Sequence, residues 1–169
     1  MNRLEVICGP MYAGKSTRLI KRLLEFRDAK FPIKVIKPIL DNRYSVSEIV
    51  THRGRKILCS YLNGDSLSGE EISKPIVLGI DEAQFFSNKI VEEVQHFLTN
   101  NRKSRIIIAG LDMTAEGQAF GAMPQLLAIA DKVIKLKAIC FICGDPAGFT
   151  YRKTESKEII DVGGADKYE

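Results

Sequence analysis

The feature that most constrains this chain lies near its start, where Gly9 to Ser16 read Gly-Pro-Met-Tyr-Ala-Gly-Lys-Ser and match G-x-x-x-x-G-K-[ST]. The glycines let the backbone wrap a polyphosphate with its N–H groups pointing inward. Lys15 can reach the β- and γ-phosphates, and the Ser16 hydroxyl can hold a magnesium ion. A strand is predicted over 4–8 and a helix over 17–26, which favours a nucleotide-phosphate site over a glycine turn before a surface helix.

An acidic pair ends the next strongly apolar run, which spans residues 75–80. Such a run is typical of a buried parallel strand, which would deliver Asp81 and Glu82 to the carboxyl edge of the sheet. Asp81 is the candidate that holds magnesium beside the phosphate loop. Glu82 would lie near the γ-phosphate and could take the proton of an acceptor hydroxyl. The alternative is an ordinary acid pair at a helix N-terminus.

The rest of the chain alternates strand patterns with helix patterns. Further strands are predicted over 34–40, 105–112 and 132–138, and helices over 90–98 and 123–130. This order predicts an α/β fold with a doubly wound, mostly parallel sheet. We expect a nucleotide-binding domain over residues 1–138 and a small appended domain over residues 139–169.

Two loops could contribute to the predicted site. Asp41 and Arg43 follow the second strand, at the sheet edge where ligands bind in open α/β folds. Arg43 is a candidate phosphate clamp and Asp41 a candidate partner of a metal or an arginine, although a plain turn with a solvated ion pair explains them equally well. Residues 45–75 are irregular and predict a mobile basic turn or a β-hairpin lid. His52 has no partner at metal-ligand spacing and is interpreted as a surface or structural residue.

Composition narrows the class of protein. The chain has 169 residues, 45% hydrophobic and 27% charged, as expected for a globular domain. A net charge of +4 suits anionic substrates, but no basic run is dense enough to indicate nucleic-acid binding. Neither a signal peptide nor a membrane-spanning segment is visible, so we expect a cytoplasmic protein without a membrane partner.

The four cysteines are then expected to be reduced. Cys8 and Cys59 are interpreted as small buried hydrophobic residues. Cys140 and Cys143 form a C-x-x-C-G knuckle, which is half of a zinc ribbon, but structural zinc needs four ligands. A redox pair and two incidental thiols remain as alternatives.

The chain resembles one family closely, the small, zinc-containing thymidine kinases of bacteria and animal cytosol. The resemblance rests on motifs that follow the family's order over nearly the whole chain. These motifs are Gly9–Ser16, Lys37-Pro38 with Asp41-x-Arg43-Tyr44-Ser45, Asp81–Phe86, Gly110-Leu111-Asp112, Phe120-Gly121, Cys140 with Cys143, and Val162–Tyr168.

The resemblance implies transfer of the γ-phosphate of Mg-ATP to the 5′-hydroxyl of thymidine or deoxyuridine, giving dTMP in pyrimidine salvage for DNA synthesis. It implies that Glu82 is the general base and that Ser16 and Asp81 serve magnesium. The residues implied in nucleotide binding are Gly9, Pro10, Met11, Tyr12, Ala13, Gly14, Lys15, Ser16, Asp41, Asn42, Arg43, Asp81 and Gln84.

For the nucleoside, the resemblance implies a C-terminal "lasso" loop that binds the base through backbone groups, and side chains that line the pocket. The lasso residues are Ile159, Ile160, Asp161, Val162 and Gly163, and the lining residues are Met11, Phe85, Leu111, Phe120, Thr150 and Tyr168. The family's second C-x-x-C pair would follow Glu169, so Cys140 and Cys143 are expected to be a partial zinc set. Ala115 stands where many members have an aromatic residue. A homotetramer inhibited by thymidine triphosphate is also implied.

Overall fold

A six-stranded parallel sheet forms the centre of the protein. A computed structural model describes residues 3–39, 48–50, 56–62, 64–67, 76–153 and 166–168. Its strands are β1 (Leu4–Cys8), β2 (Ile33–Pro38), β3 (Glu48–Val50), β4 (Lys56–Leu58), β5 (Ser60–Leu62), β6 (Val77–Ile80), β7 (Arg105–Gly110), β8 (Lys132–Lys135), β9 (Ala138–Ile139) and β10 (Pro146–Ala147). The central sheet has the order β5-β2-β6-β7-β1-β8, and all its neighbouring strands are parallel.

Helices cover both faces of this sheet. The helices are α1 (Lys15–Asp28), α2 (Lys89–Asn100) and α3 (Met123–Ile129). On one face, Leu19, Ile20 and Leu23 of α1 are fully buried against the sheet. An added Cβ at Gly79 of β6 would lie 2.7 Å from Leu23 Cδ1, so glycine is what allows α1 to approach this closely. On the other face, α2 and α3 bury Ile90, Val94, Phe97, Met123 and Leu126. The predicted α/β fold is confirmed.

Most predicted elements occur within two residues of their expected bounds, with one difference at the end of the sheet. The strand predicted over 132–138 is two short strands, since β8 ends at Lys135 and β9 begins at Ala138. In the described part of the chain β8 pairs only with β1, so it is an edge strand, and Val133 is exposed. The predicted alternation with one solvent-exposed face is found, since Val133, Lys135 and Lys137 are exposed, whereas Ile134 and Leu136 are partly buried against the α1 face.

The two strands of the predicted hairpin are present, as β3 and β4. β3 and β4 pair antiparallel, with Ile49 opposite Ile57, and form a separate two-stranded sheet. β5 then joins the central sheet beside β2. The hairpin's role as a lid stays a prediction, and His52 lies outside the described residues.

The carboxyl ends of β1, β6 and β7 meet at one edge of the sheet, because neighbouring strands are parallel and in register. The segments that follow Cys8, Ile80 and Gly110 therefore lie next to one another at this edge. Among the described residues, no helix has the length and apolar character needed to cross a bilayer.

Candidate active site

The segment between β1 and α1 is a compact turn that depends on glycine. Gly9 and Gly14 have positive φ angles of 136° and 82°, and Tyr12 is also left-handed, with φ of 62°. At Gly9 a side chain is excluded for a second reason, since an added Cβ would overlap the carbonyl oxygen of Leu136. The first turn of α1 follows directly, with the Arg18 N–H donating to Gly14 O at 2.9 Å. The turn thus sits against a helix N-terminus, an arrangement that favours anions.

Lys15 and Ser16 begin α1, and both side chains point back to this edge of the sheet. Lys15 Nζ donates to the carbonyl oxygen of Pro10 at 2.7 Å. The Ser16 hydroxyl donates to Asp81 Oδ1 at 3.2 Å, although the two residues are 65 positions apart in sequence. Asp81 is buried at the end of β6. A hydroxyl and a carboxylate that converge in this way are hard oxygen ligands of the kind that magnesium prefers.

Glu82 follows Asp81 in an unusual backbone conformation. Its φ of 55° and ψ of 41° are left-handed, which is uncommon for a residue with a side chain. A 3-10 turn over Ala83–Phe85 begins immediately afterwards. Glu82 Oε2 accepts a 2.7 Å hydrogen bond from Gln84 Nε2. The chain therefore reverses sharply after β6 and leaves the half-buried Glu82 at the sheet edge.

Gln84 connects this turn to the neighbouring strand. Its side chain is buried, and its Oε1 accepts a hydrogen bond from the backbone N–H of Leu111 at 2.9 Å. Leu111 is the first residue after β7, so Gln84 ties the carboxyl ends of β6 and β7 together. Sequence reasoning placed Gln84 among the nucleotide-binding residues and missed this connection, because no local pattern links Gln84 to Leu111.

An aromatic pair lies next to this connection. The rings of Phe85 and Phe120 meet edge to face, with centroids 5.9 Å apart. Gly121 follows with a positive φ of 51°, and an added Cβ there would overlap the backbone carbonyl of Gln84. Two residues predicted to line a nucleoside pocket are thus in contact, 35 positions apart in sequence.

A family model described as thymidine kinase matches residues 2–169 of this chain. The chain belongs to the thymidine kinase family. Membership makes it a nucleoside kinase, a phosphotransferase that uses ATP with a divalent metal ion and phosphorylates thymidine.

The C-terminal part of this thymidine kinase returns to the phosphate loop. The backbone N–H of Met11 donates to Thr150 Oγ1 at 2.9 Å. The hydroxyl of Tyr12 donates to the carbonyl oxygen of Tyr168 at 3.3 Å. Both Thr150 and Tyr168 are buried. The predicted pocket residues Met11 and Thr150 are therefore brought together, and Tyr168 lies against the same loop.

Arg152 holds this returning segment in place. It forms an antiparallel bridge with Tyr168, and the Lys153 N–H donates to Lys167 O at 2.8 Å. Its guanidinium lies 5.7 Å from the centroid of the Tyr168 ring and 3.3 Å from Glu116 Oε1. Only 8% of the Arg152 side chain is exposed. Nothing in the sequence indicated that Arg152 joins the C-terminal segment to the loop that follows β7.

A second ion pair missed by sequence reasoning lies beside the phosphate loop. Lys135 Nζ contacts the buried Asp112 at 2.8 Å, and the Asp112 carboxylate raises the pKa of Lys135. Burial, and then the charge of Asp112, raise the pKa of the neighbouring Cys8 thiol to about 11. Cys8 is therefore protonated and inert near neutral pH, which agrees with its interpretation as a small buried hydrophobe. Cys59 is only half-buried, against the α1 face.

The cysteine knuckle lies in the loop between β9 and β10. The Gly144 N–H donates to Cys140 O at 2.9 Å and the Cys140 N–H donates to Asp145 O at 2.7 Å, which closes the turn. Hydrogen bonds from the backbone of Cys143 and Ile142 lower the pKa of the Cys140 thiol. Both thiols are free. Within the described part of the chain, no three or more metal-ligating side chains cluster together.

Several predicted site residues fall outside the described residues. These are Asp41, Asn42 and Arg43 after β2, and Ile159, Ile160, Asp161, Val162 and Gly163 of the expected lasso. Their roles stay predictions. The described residues nearest to them on either side, 151–153 and 166–168, are joined by the bridge between Arg152 and Tyr168.

Proposed function

We propose that this chain transfers the γ-phosphoryl group of Mg-ATP to the 5′-hydroxyl of thymidine and of deoxyuridine, giving dTMP and dUMP in pyrimidine salvage. The observation that carries the proposal is the contact of Ser16 with Asp81 at 3.2 Å, with Glu82 directly after Asp81. Phosphoryl transfer needs a cradle for the donor phosphates, a metal ion and a positioned base for the acceptor hydroxyl. This sheet edge offers residues for all three.

At the donor side, the backbone of Gly9, Pro10, Met11, Tyr12, Ala13 and Gly14 wraps the β- and γ-phosphates. Ser16 and Asp81 hold magnesium, which neutralises the charge that develops on the phosphates. Lys15 exchanges its 2.7 Å bond to Pro10 O for a phosphate oxygen when ATP binds. The Lys15 ammonium group already lies over the loop. This position supports the exchange, because only the Lys15 side chain has to turn to reach a phosphate oxygen. Asp41, Asn42 and Arg43, which follow β2 in the sequence, contribute to binding of the donor nucleotide in this proposal.

At the acceptor side, Glu82 takes the proton of the 5′-hydroxyl as the bond to phosphorus forms. Met11, Phe85, Leu111, Phe120, Thr150 and Tyr168 line the nucleoside pocket. The contacts of Met11 with Thr150 and of Phe85 with Phe120 support one shared pocket. Backbone groups of residues 159–163 bind the pyrimidine edge, while aromatic rings cover its faces.

The proposal also covers the two cysteines of the knuckle, the oligomeric state, the localisation and the inhibition of the enzyme. Cys140 and Cys143 supply two of the four ligands of a structural zinc ion, and the lowered pKa of Cys140 supports a thiolate there. The protein acts as a cytoplasmic homotetramer, and thymidine triphosphate inhibits it as the end product.

A phosphoryl-transfer assay tests this proposal. Purified protein is incubated with Mg-ATP and a panel of pyrimidine and purine nucleosides, and nucleotide products are separated and counted. We expect products from thymidine and deoxyuridine only, complete loss with EDTA, and recovery with added magnesium. Zinc is measured on the same sample by elemental analysis. Normal ATP binding with no product from any nucleoside would contradict the proposal.

A further inference from the structure

Gln84 is a buried polar side chain at the sheet edge that is hydrogen-bonded at both ends of its amide. Only 2% of the residue is exposed. Its Nε2 donates to Glu82 Oε2 at 2.7 Å, and its Oε1 accepts from the Leu111 N–H at 2.9 Å. Each end of the amide therefore has a partner within ordinary hydrogen-bond distance.

The two bonds determine which way the amide faces. A backbone N–H can only donate, so Leu111 requires the oxygen of Gln84 on its side. The nitrogen must then face Glu82, and because it can only donate, Glu82 Oε2 must accept. Turning the amide over would replace two hydrogen bonds by two repulsive contacts. The Leu111 backbone thus orients the Gln84 amide, and the amide holds Glu82 as an acceptor.

Two glycines lie close to Gln84, Gly110 beside its side-chain amide and Gly121 beside its backbone carbonyl. An added Cβ at Gly110 would lie 2.9 Å from Gln84 Oε1 and 2.7 Å from Met123 Sδ. An added Cβ at Gly121 would overlap the Gln84 backbone carbonyl. The side chain is enclosed and both of its ends are bonded, so its position is fixed relative to Glu82 and Leu111. Any large movement of Gln84 would break at least one of these two hydrogen bonds.

We propose that Gln84 is a positioning residue that holds Glu82 in the orientation of a base and ties it to the backbone of Leu111. This inference rests on the proposed function, since it assigns a task to Glu82 in phosphoryl transfer. Leu111 belongs to the proposed nucleoside pocket. The link therefore couples the alignment of the base to the wall of the acceptor site.

A double-mutant cycle tests the positioning role. Single-turnover transfer from bound ATP to thymidine is measured in the wild type, Gln84→Met, Glu82→Gln and the double variant. Methionine keeps the length of the side chain but cannot make either hydrogen bond. We expect Gln84→Met to lower the transfer rate about tenfold, since a small misplacement of a catalytic group has effects of this order or larger. In the Glu82→Gln background it should lower the rate no further, because the residue it positions is gone.

Two controls separate this role from others. ATP affinity, measured by titration calorimetry, should stay within about twofold in Gln84→Met, whereas a phosphate ligand would lose affinity. The exposed Gln95 of α2 supplies the matched variant Gln95→Met, which should behave as the wild type. Thermal unfolding of every variant reports any loss of fold.

Gln84→Glu covers the case in which Gln84→Met does not fold. It keeps an acceptor for Leu111 but replaces the amide donor by a carboxylate that repels Glu82, and the rate should again fall only where Glu82 is present. Equal rate losses in both backgrounds, or weaker ATP binding at an unchanged rate, would overturn the inference. If the wild type transfers phosphate to no nucleoside, the proposed function fails first and the inference fails with it. If the wild type is active and the cycle is additive, the inference alone fails.

Discussion

Two regions hold their residues in different ways. One is the phosphate edge, the edge of the sheet that carries Gly9–Ser16, Asp81 and Glu82, and the other is the C-terminal segment, residues 138–153 and 166–168. Gly9–Ser16, Asp81 and Glu82 follow strands that are fully buried and paired in register. The C-terminal segment reaches the same place through single contacts, such as Met11 with Thr150 and Arg152 with Glu116. Around its knuckle, Phe141 and Ile142 are 89% and 86% exposed. The proposed donor site is thus built on the core, whereas the segment that would cover the proposed acceptor site depends on a few polar contacts.

This difference predicts that changes at the phosphate edge alter chemistry or stability, while changes in the C-terminal segment alter nucleoside affinity alone. The largest effect is expected from Glu82→Gln, which removes the base but keeps the shape of the side chain. The transfer rate should fall about a hundredfold or more, with ATP affinity nearly unchanged. Steady-state kinetics and ATP titration check this. Glu92→Gln on the exposed side of α2 is the control, and unchanged turnover in Glu82→Gln would remove Glu82 from the base role.

The next largest effect concerns an ion pair between β1 and α1, the two elements that flank the phosphate loop. Glu5 in β1 is 4% exposed and pairs with Arg22 of α1 at 2.8 Å. Glu5→Gln should lower the free energy of unfolding by about 2 kcal/mol, less than for a fully buried pair because Arg22 is 31% exposed. Urea unfolding measures the change, with the exposed partner variant Glu25→Gln as control. A loss as small as that of Glu25→Gln would show that the core does not depend on this pair.

A smaller effect on affinity is expected from Arg152→Met. This change removes the ion pair to Glu116 and the contact with the Tyr168 ring, which together hold the returning segment. The KM for thymidine should rise about tenfold, which corresponds to one charged hydrogen bond, while the KM for ATP stays the same. Arg102→Met, at an exposed position after α2, is the control. An equal rise in both KM values would show that the two regions are not separable.

The smallest effect is a change in the pH dependence of the free energy of unfolding, caused by Asp131 near the start of β1. The Asp131 carboxylate accepts from the N–H groups of Leu4 and Arg3 at 2.8 and 2.7 Å, and these bonds lower its pKa. A lowered pKa in the folded protein contributes stability above about pH 4 that is lost as the pH falls through the folded value.

Asp131→Asn should therefore show a flatter decline of stability below pH 5, with the difference from wild type largest near neutral pH. Urea unfolding at a series of pH values tests this, and Asp28→Asn at an exposed position is the control. A decline as steep as that of the wild type would mean that Asp131 contributes nothing to acid sensitivity. Transfer kinetics at neutral pH should be unchanged, since Asp131 lies at the opposite end of β1 from the phosphate loop.

Most of the fold could be predicted because it depends on local spacing. Apolar runs identified the buried strands, and helical spacing identified α1, α2 and α3 within two residues of their bounds. The short strand β8 was predicted too long, since it ends at Lys135, and alternation did not reveal that it lies at the edge of the sheet. The phosphate loop and the pair Asp81 and Glu82 were found because they follow strands whose direction places them at one edge.

The connections across the site could not be found in this way. The sequence by itself determined which residues can bind phosphate, hold a metal or accept a proton, because side-chain chemistry and the direction of a strand are local properties. Only the tertiary structure decided that Gln84 joins Glu82 to Leu111 and that Thr150 contacts Met11. These partners are separated by 27 and 139 positions in sequence. Hydrogen bonds between such distant groups form only after the core has packed and brought their strands and loops to the same edge of the sheet.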